Sequence, residues 1–325
     1  MALVDSFGRH IDYLRLSLTD RCDFRCVYCM AEDMQFLPRA QVLSLEECEI
    51  LVKAFVKLGI KKVRLTGGEP LVRNGAVELM ARLKAIPGLE ELLLTTNGSR
   101  LEALAPDLKK AGLDRINVSL DTLNPGRFKE LSRTGKLEHV LAGLRAARAA
   151  GFERIKLNSV ILKNRNADEV EDLVQFALHE GFDLSFIEAM PLGHIDDHQR
   201  SEEFISSADI QTRLEKRWPL ESSQYKTGGP SRYWKIGDNQ IGFISPHSNN
   251  FCASCNRLRV TAEGRLLLCL GNEHSLDLKA IMRRYPGDHA RLQHGIEAAM
   301  ANKPERHHFD INETQIVRFM NTTGG

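Results

Sequence analysis

Six apolar or alternating runs recur along this chain with helix-like segments between them, at a spacing of about thirty residues, the length of a strand, a helix and two loops. They fall near Ile11 to Leu18, Lys62 to Thr66, Leu92 to Thr96, Arg115 to Leu120, Ile155 to Ile161 and Leu184 to Met190. Repeated β/α units predict a parallel sheet, and six of them suggest a partial barrel. Helix signals agree: Ser44-Leu45-Glu46-Glu47 reads as a capping box opening a helix that ends near Gly59, and Asn166 reads as the start of another ending near Gly181.

Strands covered on both faces of a parallel sheet are apolar throughout, yet these runs alternate. Tyr13, Arg15 and Ser17 oppose Leu14, Leu16 and Leu18; Lys62, Arg64 and Thr66 oppose Val63 and Leu65. Asn117 and Ser119 oppose Ile116 and Val118, and Lys156 and Asn158 oppose Ile155 and Leu157. One face therefore packs helices. A closed eight-stranded barrel fills its interior with side chains, so a lining of Arg, Lys, Asn and Ser predicts a polar cavity holding a charged ligand. A sheet with one face open to solvent carries the same pattern, and periodicity leaves both readings standing.

From about Ser201 the rhythm stops. A helix over Ala208 to Arg217, strand-like runs around Tyr233-Trp234 and Ile241 to Ile244, and a helical end rich in Arg, His and Ala follow. The expected organisation is a β/α unit over residues 1–200 and an extension over residues 201–325. The formal net charge of +1 argues against a whole-surface footprint for nucleic acid, so any anion site is local. No apolar run approaches the length of about 18 residues that a membrane span needs, and the first residues show no secretory pattern. A cytoplasmic protein without membrane or nucleic-acid partners is expected.

Cysteines in such a compartment point to metal or chemistry rather than disulfides. They divide as Cys22, Cys26 and Cys29; Cys48 alone; and Cys252, Cys255 and Cys269. Cys48 shares a predicted helix face with Leu45, Leu51, Phe55 and Leu58 and reads as core. Cys22-Asp-Phe-Arg-Cys26-Val-Tyr-Cys29 follows the first strand, at the sheet end where β/α units place active sites. Three thiolates on one loop can hold three irons of a cubic 4Fe-4S cluster and leave the fourth open. Structural zinc asks for four protein ligands, and no fourth Cys or His lies in this loop, so spacing favours the cluster. In the second set His247 or His274 could complete a Cys3His zinc site, and spacing alone leaves zinc and cluster even.

The C-x3-C-x2-C loop, with an aromatic before its last Cys, resembles the signature of radical S-adenosylmethionine (SAM) enzymes. Four segments at predicted strand ends match the same family: Gly67-Gly68-Glu69-Pro70, Thr95-Thr96-Asn97-Gly98, Ser119-Leu120-Asp121 and Glu188-Ala189-Met190-Pro191. The resemblance implies that SAM chelates the open iron and that Tyr28, Gly68, Ser119 and Met190 contact SAM. Cys252-Ala-Ser-Cys255-Asn-Arg257-Leu-Arg259, with Gly264-Arg265-Leu-Leu-Leu-Cys269, is similar to the C-terminal part of the GTP 3',8-cyclase branch. That likeness runs from Arg15 to the final Gly-Gly. It implies an α/β fold, a partial (β/α)6 TIM-like barrel with a C-terminal extension carrying a second 4Fe-4S cluster on Cys252, Cys255 and Cys269.

The same resemblance implies the lyase reaction that opens molybdenum cofactor biosynthesis. A 5'-deoxyadenosyl radical from SAM takes hydrogen from C3' of the GTP ribose, and the product is (8S)-3',8-cyclo-7,8-dihydroguanosine 5'-triphosphate. The implied GTP contacts are Arg15, Arg64, Thr95, Lys156, Arg257, Leu258 and Arg259, with Arg257 and Arg259 also catalytic. Five of these are cations whose parities face one cavity, and unpaired buried charge is costly, so a triphosphate is the expected counter-anion. An electron donor, the next enzyme of the pathway and a second copy in a homodimer are implied partners. Where the family often carries Arg this chain has Ser185, with Lys62 a candidate substitute. Gly324-Gly325 reads from the residues as a frayed end, whereas the resemblance implies a tail that reaches the active site.

Overall fold

The computed structural model describes residues 2–193, 200–307, 309, 316 and 318–324. The alternation seen in the sequence becomes a sheet in which β1 (Tyr13–Ser17), β2 (Lys62–Thr66), β3 (Glu91–Thr96), β4 (Arg115–Ser119), β5 (Ile155–Ile161) and β6 (Asp183–Glu188) pair in this order, each parallel to the next. Leu14, Leu16, Val63, Leu65, Ile116 and Val118 are fully buried in one large core beneath the helices. Ser44 caps α1 (Leu45–Lys57) as a full capping box: its hydroxyl accepts from the Glu47 N–H, and the Glu47 carboxylate accepts from the Ser44 N–H.

The second helix-start expectation is corrected. Asn166 precedes a 3-10 turn over Ala167–Glu169, and the helix α2 (Val170–Glu180) begins after it, closing on Gly181 in a left-handed C-cap. The Asn166 side chain is fully used elsewhere. It accepts from the Leu162 N–H and donates to the Asp121 and Val160 carbonyls, bracing the loops that follow β4 and β5.

The part after Ser201 is built into the same sheet. β9 (Asn239–Ile244) lies parallel to β6, and β10 (Arg257–Val260) lies parallel to β1. Outside them the sheet continues antiparallel, through β8 (Arg232–Ile236) and β7 (Glu221–Ser222) on one side and β11 (Arg265–Leu267) and β12 (Ser275–Asp277) on the other. Among the described residues this is one open twelve-stranded sheet with no closure between its outer strands. Register then sets Arg259, Arg15 and Arg64 side by side on β10, β1 and β2. Like charges on adjacent strands repel, which makes this row unfavourable without an anion.

At the N-terminus Leu3–Val4 pairs with His10–Ile11, and the Arg9 guanidinium donates to the carbonyls of Cys252, Pro304 and Glu305 at 2.9, 2.7 and 2.7 Å. The hairpin thereby pins the second cysteine segment to the chain that follows the last long helix, α3 (His289–Ala299). Among the described residues no helix is long and apolar enough to cross a membrane.

Candidate active site

The inner face of the sheet borders a cavity of about 200 Å³ whose lining includes Arg15, Arg64, Lys156, Arg257 and Arg259. Their parities on β1, β2, β5 and β10 bring them together. Arg64 is 5% exposed; it donates to the Tyr13 hydroxyl, to the Leu94 carbonyl at 2.9 Å and to the Thr95 hydroxyl at 3.4 Å. Lys156 donates to the Tyr233 hydroxyl at 2.8 Å. Arg15 is held well below its ordinary range by burial and then by the neighbouring Arg259, and burial with Arg257 brings Arg259 down to about 10. Burial raises the Tyr13 phenol, but Arg64 and Arg15 outweigh it and the net shift is downward. A polyanion would relieve the mutual repulsion of cations crowded in this way.

A second pocket, of about 110 Å³, adjoins this cavity and is lined by Cys22, Cys26 and Cys29 together with Thr66, Gly67, Gly68 and Asn97. Tyr28, Cys29, Thr95, Ser119, Asp121 and Met320 belong to both. The glycines allow a close approach, first of all to the chain itself. The Gly68 and Glu69 N–H groups donate to the Thr19 and Arg21 carbonyls at 2.8 Å, and a Cβ on Gly67 or Gly68 would sit 2.5 or 2.4 Å from those same oxygens. Burial, then Glu69, pushes the Cys22 thiol up to about 12; burial and the neighbouring thiols push Cys26 and Cys29 upward. Such thiols ionise only against a strong cation, which is what metal coordination supplies.

The third pocket, about 80 Å³, holds Cys252, Cys255 and Cys269 and shares Met190, Pro230, Ile244, Arg257 and Arg259 with the cation-lined cavity. Burial still pushes the Cys269 thiol up, but at Cys255 the balance is reversed. Burial works to raise the Cys255 thiol, yet Arg257 and Lys303 outweigh it and bring it down to about 7. Neither histidine suggested by spacing is found at these thiols. His247 meets the Ala189 carbonyl at 3.0 Å and packs against Phe204 and Phe309, while His274 is exposed. The histidine beside them is His307, with Nδ1 2.9 Å from the Cys252 sulfur and Nε2 3.0 Å from the Pro246 carbonyl, to which it donates. Among the described residues no three His, Cys, Asp or Glu side chains converge on a single-ion site. A cubic cluster does not require that convergence, because each thiolate binds a different iron.

Of the residues singled out by sequence, Arg15, Arg64, Thr95, Lys156, Arg257 and Arg259, with Tyr28, Ser119 and Met190, line the central cavity, and Gly68 lines the adjoining pocket. Leu258 does not. It is 1% exposed and belongs to the hydrophobic core, as alternation on β10 demands of a residue between two inward arginines. Lys62 does not replace the missing arginine: it pairs with Glu91, its register partner on β3, at 2.6 Å and stays outside the cavity lining. Ser185 is fully buried and bonds Ser231 at 2.8 Å. The Tyr28 hydroxyl is committed to Asp121 at 2.6 Å. The tail is tucked in as far as Gly324, whose carbonyl accepts from Arg15 at 2.8 Å and Arg259 at 3.4 Å; Gly325 lies outside the described residues. Among the described residues, Asn158, in the cavity wall, and Thr66, in the pocket of the first cysteines, each keep a buried side-chain oxygen with no hydrogen-bond partner. An unmet buried acceptor costs about 1–3 kcal/mol, a cost that a bound polar ligand removes.

Glu69 carries a testable pH signature. Its carboxyl accepts from the Leu71 and Asn97 N–H groups and the Thr96 hydroxyl, but burial dominates and pushes it up to about 7 from 4.5. A folded value above the unfolded one means that its contribution to stability is fully present below 4.5 and is lost as pH rises through about 7. In urea titrations of cluster-free protein, Glu69→Gln should flatten the fall of stability across that window. An unchanged slope would show that Glu69 does not titrate there.

Residues 16–177 match the radical SAM superfamily, and residues 182–309 match Molybdenum Cofactor Synthesis C. The GTP 3',8-cyclase of Pseudomonas entomophila is 61% identical over all of this chain and 98% of its own length. That of Pseudomonas putida is 58% identical with the same coverage, and GTP 3',8-cyclase 2 of Pseudomonas aeruginosa is 58% identical over 99% of this chain and 98% of its own. Among solved structures, Streptococcus suis SuiB superposes with a TM-score of 0.59 at 15% identity, over 83% of this chain and 64% of SuiB, a likeness of fold alone. With relatives this similar over their whole length, the chain belongs to the GTP 3',8-cyclase family of the radical SAM superfamily.

Proposed function

We propose that this protein converts GTP to (8S)-3',8-cyclo-7,8-dihydroguanosine 5'-triphosphate with SAM and two 4Fe-4S clusters, the first step of molybdenum cofactor biosynthesis. The observation that carries the reading is the continuity of the three pockets, a cation-lined cavity bordered by one cysteine set on each side. Cys22, Cys26 and Cys29 would hold one cluster and Cys252, Cys255 and Cys269 the other, with Tyr28, Gly68, Ser119 and Met190 around SAM. When bound, the first cluster and SAM supply one-electron chemistry that removes a hydrogen atom from the ribose.

The chain itself positions and shields. Arg15, Arg64 and Lys156, with Arg257 and Arg259, grip the triphosphate, and Thr95 adds a hydroxyl beside Arg64. Leu258 anchors β10 in the core, so the two arginines flanking it point the same way with little freedom. The buried tail, with Asn321 donating to the Asp20 carbonyl, covers the first cysteine loop and limits access of water.

The six central units are read as a partial (β/α)6 barrel over residues 1–200, with residues 201–325 as the extension. Convergence of cations from β1, β2, β5 and β10 on one cavity supports that curvature. A one-electron donor, hand-over to the next enzyme, a homodimer and a cytoplasmic location belong to the same proposal and rest on family membership.

Iron, acid-labile sulfide and zinc in anaerobically purified protein, followed by turnover with GTP and SAM, test the reading. About eight irons with equal sulfide, little zinc and a cyclised product that requires SAM are expected. About four irons with one zinc would reduce the second cysteine set to structure, and zinc without iron would overturn the proposal.

A further inference from the structure

Lys303 is 3% exposed, and among the described residues no carboxylate lies within ion-pair distance of it. Its ammonium donates to the Leu268 carbonyl at 2.5 Å and the Arg257 carbonyl at 3.1 Å, and it stands 3.9 Å from the Cys255 sulfur. Carbonyl oxygens solvate an ammonium but do not neutralise it, and a buried charge without a counter-charge is expensive. The anions available are the thiolates of Cys255 and Cys269, the two groups that most favour the charged form of Lys303 against burial. Four residues further on, the His307 N–H donates to the Cys252 sulfur at 3.4 Å. One short segment after α3 thus brings donors to two of the three thiols, and Lys303 also ties the start of β10 to the turn that carries Cys269. The first cysteine set has the opposite setting, with Glu69, Asp23 and Asp121 among the charges acting on its thiols.

We propose that Lys303 is a positioning residue for the second iron-sulfur cluster, its ammonium being the fixed counter-charge of the cluster thiolates and holding that cluster at a higher reduction potential than its ligands alone would. The inference rests on the cluster reading of Cys252, Cys255 and Cys269. The physical basis is general: a positive charge and N–H donors near cluster sulfurs stabilise the more negative, reduced form. Lys303 reaches no reacting atom and acts through Cys255 and the backbone on either side of it.

The test is an EPR-monitored redox titration of the full chain, with iron content measured on every sample and Cys26→Ala used to assign the signals. Wild-type protein is measured first; if its second site holds no iron, the cluster reading itself fails, before any variant is needed. Lys303→Met, similar in length but uncharged, should move the midpoint of the second cluster to more negative potential and leave that of the first in place. Loss of the second cluster in Lys303→Met with retention in Lys303→Arg also supports the counter-charge role. An unmoved or more positive midpoint with the second cluster fully loaded overturns the proposal, as does equal loss of iron from the Met and Arg variants.

Discussion

Replacement of Cys26 by Ala should abolish product formation and lower the iron content from about eight to about four per chain. The thiol has no substitute. Cys22, Cys26 and Cys29 line one pocket, and the carboxylate that shares it, Asp121, is already held by the Tyr28 hydroxyl at 2.6 Å and the Val160 N–H at 2.8 Å. Two thiolates cannot hold three irons, so the first cluster is lost as a unit. The second set, on another segment and in another pocket, keeps its own. Folding should survive, because the change removes one sulfur from the edge of a large core. Iron and sulfide analysis beside a product assay checks this, and retention of eight irons in the variant would show that the loop is not the ligand set.

The double change Arg257→Ala with Arg259→Ala should weaken GTP binding by at least roughly a hundredfold while leaving SAM binding unaltered. A charge-assisted hydrogen bond contributes about 1.5–3 kcal/mol, so two lost contacts come to about 3–6 kcal/mol, or roughly 10²–10⁴ in affinity. The lower end is the better expectation. Both arginines depress Arg15, and Arg257 and Arg15 also act on Tyr13, so their removal relieves repulsion within the cation cluster. Calorimetric titration with GTP at matched iron content measures the effect. Matching is necessary because Arg257 also helps to keep the Cys255 thiol low. Unchanged affinity would remove these arginines from the triphosphate site.

Alternation made much of this arrangement legible in advance. Arg15, Arg64 and Lys156 occupy inward parities that periodicity alone assigned, because a one-residue shift would have exchanged them with leucines and isoleucines now fully buried. The spacing of the first cysteine set favoured a cluster over zinc, whereas that of the second set left the two even. What escaped was non-local. No local pattern announces that β10 lies beside β1, since the two strands come from distant parts of the chain and no repeat links them. Lys62 has the right parity but stands at the start of β2, where Glu91 meets it in register. Lys303 and His307 lie in a stretch with no periodicity, and a lysine before a proline just past a helix is a weak signal. Asn166 had the chemistry of a cap, and only the fold shows three backbone groups competing for its amide.

The pairing of β10 with β1 also bears on biogenesis. At ribosomal rates of about 5–20 residues per second, β1 and the first cysteine loop emerge on the order of ten seconds or more before β10 exists, and the contact between β1 and β10 is among the most distant in the chain. Until then β1 has an unpaired edge and the row of arginines is incomplete. A chain stopped before β10 can therefore display its first three thiols to an iron donor but lacks Arg257 and Arg259, so the proposed nucleotide site is incomplete until β10 has been made.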